Sequence, residues 1–197
     1  MSRRLTRLGV PIAVTAVALA VTAAPALASP TAPAGSPVAA VADAAPHADK
    51  VRKLHELRSP KHGFRLYTLS DIEATQAQVV HGFIATTETK GIGMYSKEVE
   101  GSIAVHRLRM VGDLPRYILV SDEAELERLK NDRDDPWEFR YEGIVGWVLE
   151  QGAPGTTALH RYSKDGEWRV ARPGRTDLLR AGYEDEGPLG YAPTTAG

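Results

Sequence analysis

The chain has 197 residues, 43% hydrophobic and 25% charged, with 24 Lys plus Arg against 25 Asp plus Glu, for a net charge of −1. Charges so evenly balanced and spread offer no basic face for a nucleic-acid backbone. Cysteine is absent, which excludes a disulfide framework, a thiolate metal site and a cysteine nucleophile.

The N-terminus carries Arg3, Arg4 and Arg7, then an uncharged apolar run from Val10 to Ala24, then Ala26-Leu-Ala28 as a small-x-small cleavage signal. Residues 1–28 therefore read as a secretory signal peptide, with general secretion favoured over twin-arginine export because Thr6 and Arg7 stand where that signal is apolar. The run is too short to span a bilayer comfortably, so no retained membrane anchor is expected and the mature protein is placed outside the cell. Residues 29–50 are Ala, Pro, Ser and Val with almost no large side chains, a composition that reads as a disordered linker. The remaining 51–197 suffice for a single domain, expected to be monomeric. Its only asparagine, Asn131, is followed by Asp-Arg, so no N-glycosylation signal is present.

Within that domain the sequence repeats. Gly101-Ser-Ile-Ala-Val-His-Arg107 returns as Gly155-Thr-Thr-Ala-Leu-His-Arg161, and Glu142-Gly-Ile-Val-Gly-Trp147 returns as Glu186-Gly-Pro-Leu-Gly-Tyr191, with a weaker first copy at Leu54-His-Glu56. Aligning on His55, His106 and His160 divides the domain into approximate copies 51–102, 103–156 and 157–197, a period that points to a repeat architecture. The alignment brings Arg65, Arg116 and Arg169 into near register. Arg65-Leu-Tyr-Thr-Leu and Arg116-Tyr-Ile-Leu-Val read as strands, and Arg169-Val-Ala as a shorter one.

Helical stretches follow at Asp71 to Val80 and Asp122 to Lys130, the first opened by a Ser70/Glu73 capping box, and a third short helix follows Pro173-Gly-Arg-Thr-Asp177. Phe139 to Gly143 and Tyr183 to Gly187 then read as a strand and tight turn, while copy one departs from the pattern with Phe83-Ile-Ala-Thr-Thr-Glu-Thr-Lys90 before Gly91-Ile-Gly-Met-Tyr95. The expected fold is α+β, with three degenerate strand-strand-helix-strand-strand repeats in a closed pseudo-threefold ring. A β-trefoil-like arrangement is the alternative.

Leu159-His-Arg-Tyr162, Arg65-Leu-Tyr-Thr-Leu-Ser70 and Phe139-Arg-Tyr-Glu-Gly-Ile-Val-Gly-Trp147 resemble the units of a secreted repeated domain of unknown function found in bacterial and fungal extracellular proteins. Those units read like Leu-Tyr-Arg-Leu-Tyr, His-Phe-Tyr-Thr-Thr-Ser and Tyr-Glu-Gly-x-x-Gly-Tyr. The resemblance runs from Leu54 to Ala192, with Arg where the family usually shows His, and His where it often shows Tyr. That family accompanies secreted hydrolases, which implies a binding role.

Three sets of side chains are candidates for ligand binding. On a threefold axis His55, His106 and His160 would present three imidazoles to one metal, whereas on separate strands they are packing rings. Arg65, Arg116 and Arg169 offer planar donors to carboxylates or sugar hydroxyls, or else structural ion pairs to Glu142, Glu186 or a nearby loop. Tyr95, Trp147 and Tyr191 have faces suited to sugar rings or to a core, and the glycine before Trp147 and Tyr191 favours packing. His55-Glu-Leu-Arg-Ser59 has Ser59 where a zinc protease needs its second His, no Gly-x-Ser-x-Gly elbow occurs, and no cofactor is implied. The expected function is a non-catalytic binding module for a cell-envelope or environmental polysaccharide. The alternatives are a secreted glycosidase or peptidase, whose paired carboxylates only a fold could reveal, and a protein-binding or inhibitor module presenting Asn131 to Pro136.

Overall fold

A computed structural model describes residues 45–131 and 138–195. The signal peptide, most of the linker and all but Asn131 of the Asn131 to Pro136 segment lie outside the described residues. The folded unit already includes Ala45, which is buried, and a 3-10 turn at Ala48–Lys50, so the last residues of the expected linker belong to the domain.

Copy one supplies β1 (Val51–Lys53), β2 (His55–Arg58), β3 (Arg65–Thr68), α1 (Asp71–His81), β4 (Ile84–Ala85) and β5 (Gly93–Tyr95). Copy two supplies β6 (Ser102–Met110), β7 (Tyr117–Val120), α2 (Glu123–Asn131) and β8 (Phe139–Leu149). Copy three supplies β9 (Thr156–Lys164), β10 (Glu167–Ala171), α3 (Thr176–Arg180) and β11 (Glu184–Pro193). The helix starts follow from local chemistry. Ser70 Oγ accepts from the Glu73 amide at 3.2 Å and Asp122 Oδ1 from the Glu125 amide at 2.7 Å, each satisfying a first-turn N–H that has no intrahelical acceptor. Gly82, at φ 66°, ends α1 in the left-handed conformation.

The expected fold class needs correction. The protein is mostly β, 46% strand against 19% helix, with its main sheet curled into a half-barrel rather than a closed α+β ring. An eight-stranded antiparallel sheet runs β1-β5-β8-β11-β9-β10, with β6 beside β8 and β7 beside β6, while β3-β2-β4 form a separate sheet. The copies are therefore not self-contained units, because long strands from two of them share one hydrogen-bonded surface. The break lies in copy one. Where copies two and three carry the unbroken β8 and β11, copy one has only two-residue β4 and three-residue β5, separated by Thr86 to Ile92. This segment lacks the Glu-Gly-x-x-Gly pattern, and no long strand is available there to join the sheet's ends. The trefoil alternative fails on the same open, helix-bearing topology.

The tight turns expected after Phe139 and Tyr183 are instead two β-bulges within each continuous strand. Pairing of β6 with β8 shifts by one residue between Arg107 and Leu108 and again between Val105 and His106, and β9 with β11 shifts at the equivalent places. Glu142 and Val145, and likewise Glu186 and Leu189, are the extra residues. Gly143 and Gly187 supply the positive φ values, 118° and 94°, and Gly146 and Gly190 admit close backbone approach. A Cβ on Gly190 would lie 2.5 Å from Val148 Cγ2.

The central core draws on all copies: Leu54, Val105 and Leu159 from the first strands, Tyr67, Leu119 and Val170 from the second, with Ile92, Val148 and Leu189. Strand alternation settles where the histidines go. Each directly follows a core residue, so it is turned to the opposite face.

Candidate functional site

The three histidines each find a separate partner. His55 Nε2 lies 2.8 Å from Asp71, His106 Nδ1 is 3.1 Å from the Tyr141 hydroxyl, and His160 Nδ1 is 2.9 Å from Asp185. Among the described residues no group of three or more His, Cys, Asp or Glu is arranged to hold a metal. Burial, with Lys130 nearby, lowers the His106 pKa despite the opposing charge of Glu123.

Equal spacing does not make the three arginines equivalent. Arg65 pairs across its hairpin with Arg58, three residues after His55, whereas the matching partners of Arg109 and Ser163 are Tyr117 and Trp168. Arg116 therefore sits one position before its expected place and Arg169 one after, because the hairpin loops differ in length. A one-residue slip turns a side chain to the other face. Arg65 and Arg169 nevertheless meet at Glu88, whose carboxylate accepts from Arg65 Nη2 at 3.1 Å and from Arg169. Arg116 is elsewhere, donating to the Asp165 and Gly166 carbonyls in the β9–β10 turn.

Around Arg65 lies a buried polar network. Glu56, 2% exposed, accepts from Arg65 Nε at 2.7 Å, Tyr67 Oη at 3.2 Å and Thr86 Oγ1 at 2.6 Å. The Tyr67 oxygen in turn accepts from the Val170 amide at 2.9 Å, linking β3 to β10. Burial raises the Glu56 pKa even against these donors.

The aromatic set converges, but in packing. Tyr95 is fully buried beside Val99 and Leu149, and Trp147 and Tyr191 pack partly buried against the same cluster. Gly152 lies against the Tyr191 ring, where an added Cβ would be 3.0 Å away.

The arginines that join the copies are Arg107 and Arg161, each directly after a histidine. The first bulge aims Glu142 at Arg107, whose Nε donates to it at 2.8 Å; Nη2 reaches Glu73 of α1 at 2.7 Å and Nη1 the Tyr67 carbonyl at 3.0 Å. Arg161 repeats the arrangement with Glu186, with Glu125 of α2 at 2.7 Å and with the Leu119 carbonyl at 2.8 Å. Each thus ties its own strand to the helix and hairpin of the preceding copy. Burial works to raise the Glu73 pKa, but hydrogen bonds from Arg107 and Thr68 and the Arg107 charge bring it below the usual carboxylate value. At the same position copy one has Glu56, whose carboxylate is instead met by Arg65, Tyr67 and Thr86 of its own copy. The repeated His-Arg dipeptide was the available signal for these residues, masked by the more evenly spaced Arg trio.

Two shallow grooves of about 350 Å³ each share matching helix-cap and second-bulge positions; the first is also lined by the Glu73, Arg107 and Glu142 clamp, whereas the second lies away from the Arg161 clamp. One runs from the α1 cap at Ser70 to the second bulge of β8 at Ile144-Val145, with Ser96 at its end. The other runs from the α2 cap at Asp122 to the second bulge of β11 at Pro188-Leu189, ending at Glu150 and Tyr191. Of the nine nominated residues, Tyr191 is the one that lines a groove of this pair.

No protein-family model matches the chain, and no curated protein sequence or solved structure matches it significantly. No helix among the described residues is long and apolar enough to cross a membrane.

Proposed function

We propose that the domain is a non-catalytic binding module, acting outside the cell, that takes a hydroxyl-rich polymer such as a cell-envelope or environmental polysaccharide in the two grooves that share helix-cap and bulge positions. The observation that carries this reading is the repetition itself. A polymer with a regular chemical period can occupy two like grooves on one rigid body, and the second contact then forms at high effective concentration. The lining supports it: hydroxyls and carboxylates at Ser70, Ser96, Asp122 and Glu150 match sugar hydroxyls, and Tyr191 contributes an aromatic ring.

The disposition of the acids supports a binding role over hydrolysis. Glu73 with Glu142 and Glu125 with Glu186 are neighbouring carboxylates, but each pair is taken up by an arginine between its members, and the Glu73 pKa is lowered there, opposite to what a general acid requires.

Retention on insoluble chitin, cellulose and peptidoglycan tests the proposal, with Ile144→Asp altering one groove and Glu150→Ala the other. Both residues are exposed, so folding should be preserved, as a melting curve checks. Each single variant should weaken retention on the cognate polymer, and the double variant should abolish it. Absence of retention of the unaltered domain on all three, or a double variant that binds as well, would reject the reading.

A further inference from the structure

A separate cavity of about 220 Å³ opens between β2, the end of α1 and the segment Thr86 to Gly91. It is distinct from both grooves, and its chemistry differs from theirs. The wall is mainly apolar; Ala85 is exposed on it, and Leu54 and Leu57, each 1% exposed, lie behind it. Its volume is far above the ~10–15 Å³ that one water needs, yet below the ~300–1,000 Å³ of pockets for drug-sized ligands. The space suits a body of about one six-membered ring.

The polar groups around this wall are unevenly engaged. Thr86 Oγ1 is committed to Glu56 and Thr89 Oγ1 to the Leu54 carbonyl at 3.3 Å. Lys53 and Lys90, both exposed, line the cavity and have no acidic partner among the described residues. The Glu56 carboxylate also borders this region, but its two oxygens accept from Arg65, Tyr67 and Thr86, and its side chain is 0% exposed. Two exposed cations without an acidic partner thus stand in the lining of a mainly apolar cavity. This is the complement of a small organic anion, its charge met by the lysines and its apolar body by the apolar wall.

We infer that this cavity is a second binding site, taking a small monocarboxylate with an apolar body of about ring size. The class follows from the two features together: a neutral ring would leave the lysines unused, and a bare inorganic anion would leave the apolar wall unfilled. The site owes nothing to the grooves, so its fate is independent of the polysaccharide reading.

Benzoate is the probe, with benzamide as its neutral isostere, and amide chemical shifts across the whole domain are the readout. Benzoate should produce saturable shifts confined to Leu54, Leu57 and Thr86 to Gly91, with a dissociation constant below about 1 mM, and benzamide should bind at least about tenfold more weakly. Lys53→Gln with Lys90→Gln should remove the preference for benzoate, while Ala85→Leu, which fills the cavity from an exposed position, should block both compounds. The inference is overturned by shifts that do not saturate in that range, by equal response to benzamide, or by a benzoate response unchanged in the lysine double variant. A polysaccharide-binding result of either sign bears only on the grooves.

Discussion

Replacing Arg107 with Met tests whether the clamps between copies hold the domain together. The guanidinium donates to Glu142, Glu73 and the Tyr67 carbonyl, and its side chain is 14% exposed, against 36% for Glu73 and 24% for Glu142. Removing one partner of a fully buried pair costs about 3–5 kcal/mol, whereas an exposed pair contributes at most about 1 kcal/mol. Arg107 lies between these limits, and its loss also strands the Tyr67 carbonyl, so about 2–3 kcal/mol is expected. For a domain of this size that is a fall of roughly 5–10 °C in Tm.

The pH dependence gives an independent check on the same side chain. The Glu73 pKa is depressed in the folded protein, so its contribution is complete above the unfolded value of about 4.5 and is lost as pH falls through the lower folded value. Urea midpoints of the two proteins should therefore be well separated at about pH 7 and converge towards about pH 3. A Tm difference below about 2 °C at neutral pH, or a gap that persists undiminished in acid, would refute the clamp argument.

Other consequences can be measured on the same folded domain. Arg161→Met should cost at least as much as Arg107→Met, since the Arg161 side chain is only 10% exposed; a smaller loss in Tm would count against burial as the deciding factor. Tyr67→Phe leaves the Val170 amide without its acceptor and Glu56 without one donor, and should lower stability by about 1–3 kcal/mol in urea denaturation. Gly190→Ala would place a Cβ 2.5 Å from Val148 Cγ2 and 2.9 Å from the Leu149 carbonyl, whereas Gly187→Ala meets nothing within 4 Å and suffers only its positive φ. The former should cost about 3 kcal/mol or more and the latter about 1–2 kcal/mol, and the reverse order in thermal melts would contradict the packing described. Zinc or a chelator should leave Tm unchanged, because the three histidines have separate partners; stabilisation by zinc would show that they converge in solution.

Local features of the fold were legible and long-range ones were not. Ser70 marks a helix start because a side-chain oxygen must meet a free amide within three residues, a requirement visible in any short window, whereas in copy two the cap is Asp122, one residue inside the expected helix. The path of the sheet depends instead on which distant strands exchange hydrogen bonds, and the broken β4 and β5 of copy one decided it. The Arg65, Arg116 and Arg169 series illustrates the same limit, since constant spacing along the chain concealed hairpins of unequal length. Glu142 and Glu186 were recognised as recurrent, but their role depends on bulges that re-aim them at Arg107 and Arg161. The cavity lysines stood in no motif, so only the folded chain brings Lys53 and Lys90 to one opening.

The paired bulges also constrain how such a strand can change. A single inserted residue reverses the parity of everything beyond it, exchanging inside for outside, and a second restores it. Because Glu142 and Val145 enter β8 together, as Glu186 and Leu189 enter β11, Trp147 and Tyr191 keep the same phase with their neighbours that a strand without insertions would give. Deleting Glu142 alone would do more than remove an acid: it would put the end of β8 out of phase and send Val148 away from the core. Lengthening or shortening of these strands is therefore tolerated by twos, and the Glu-Gly-x-x-Gly spacing records that even count.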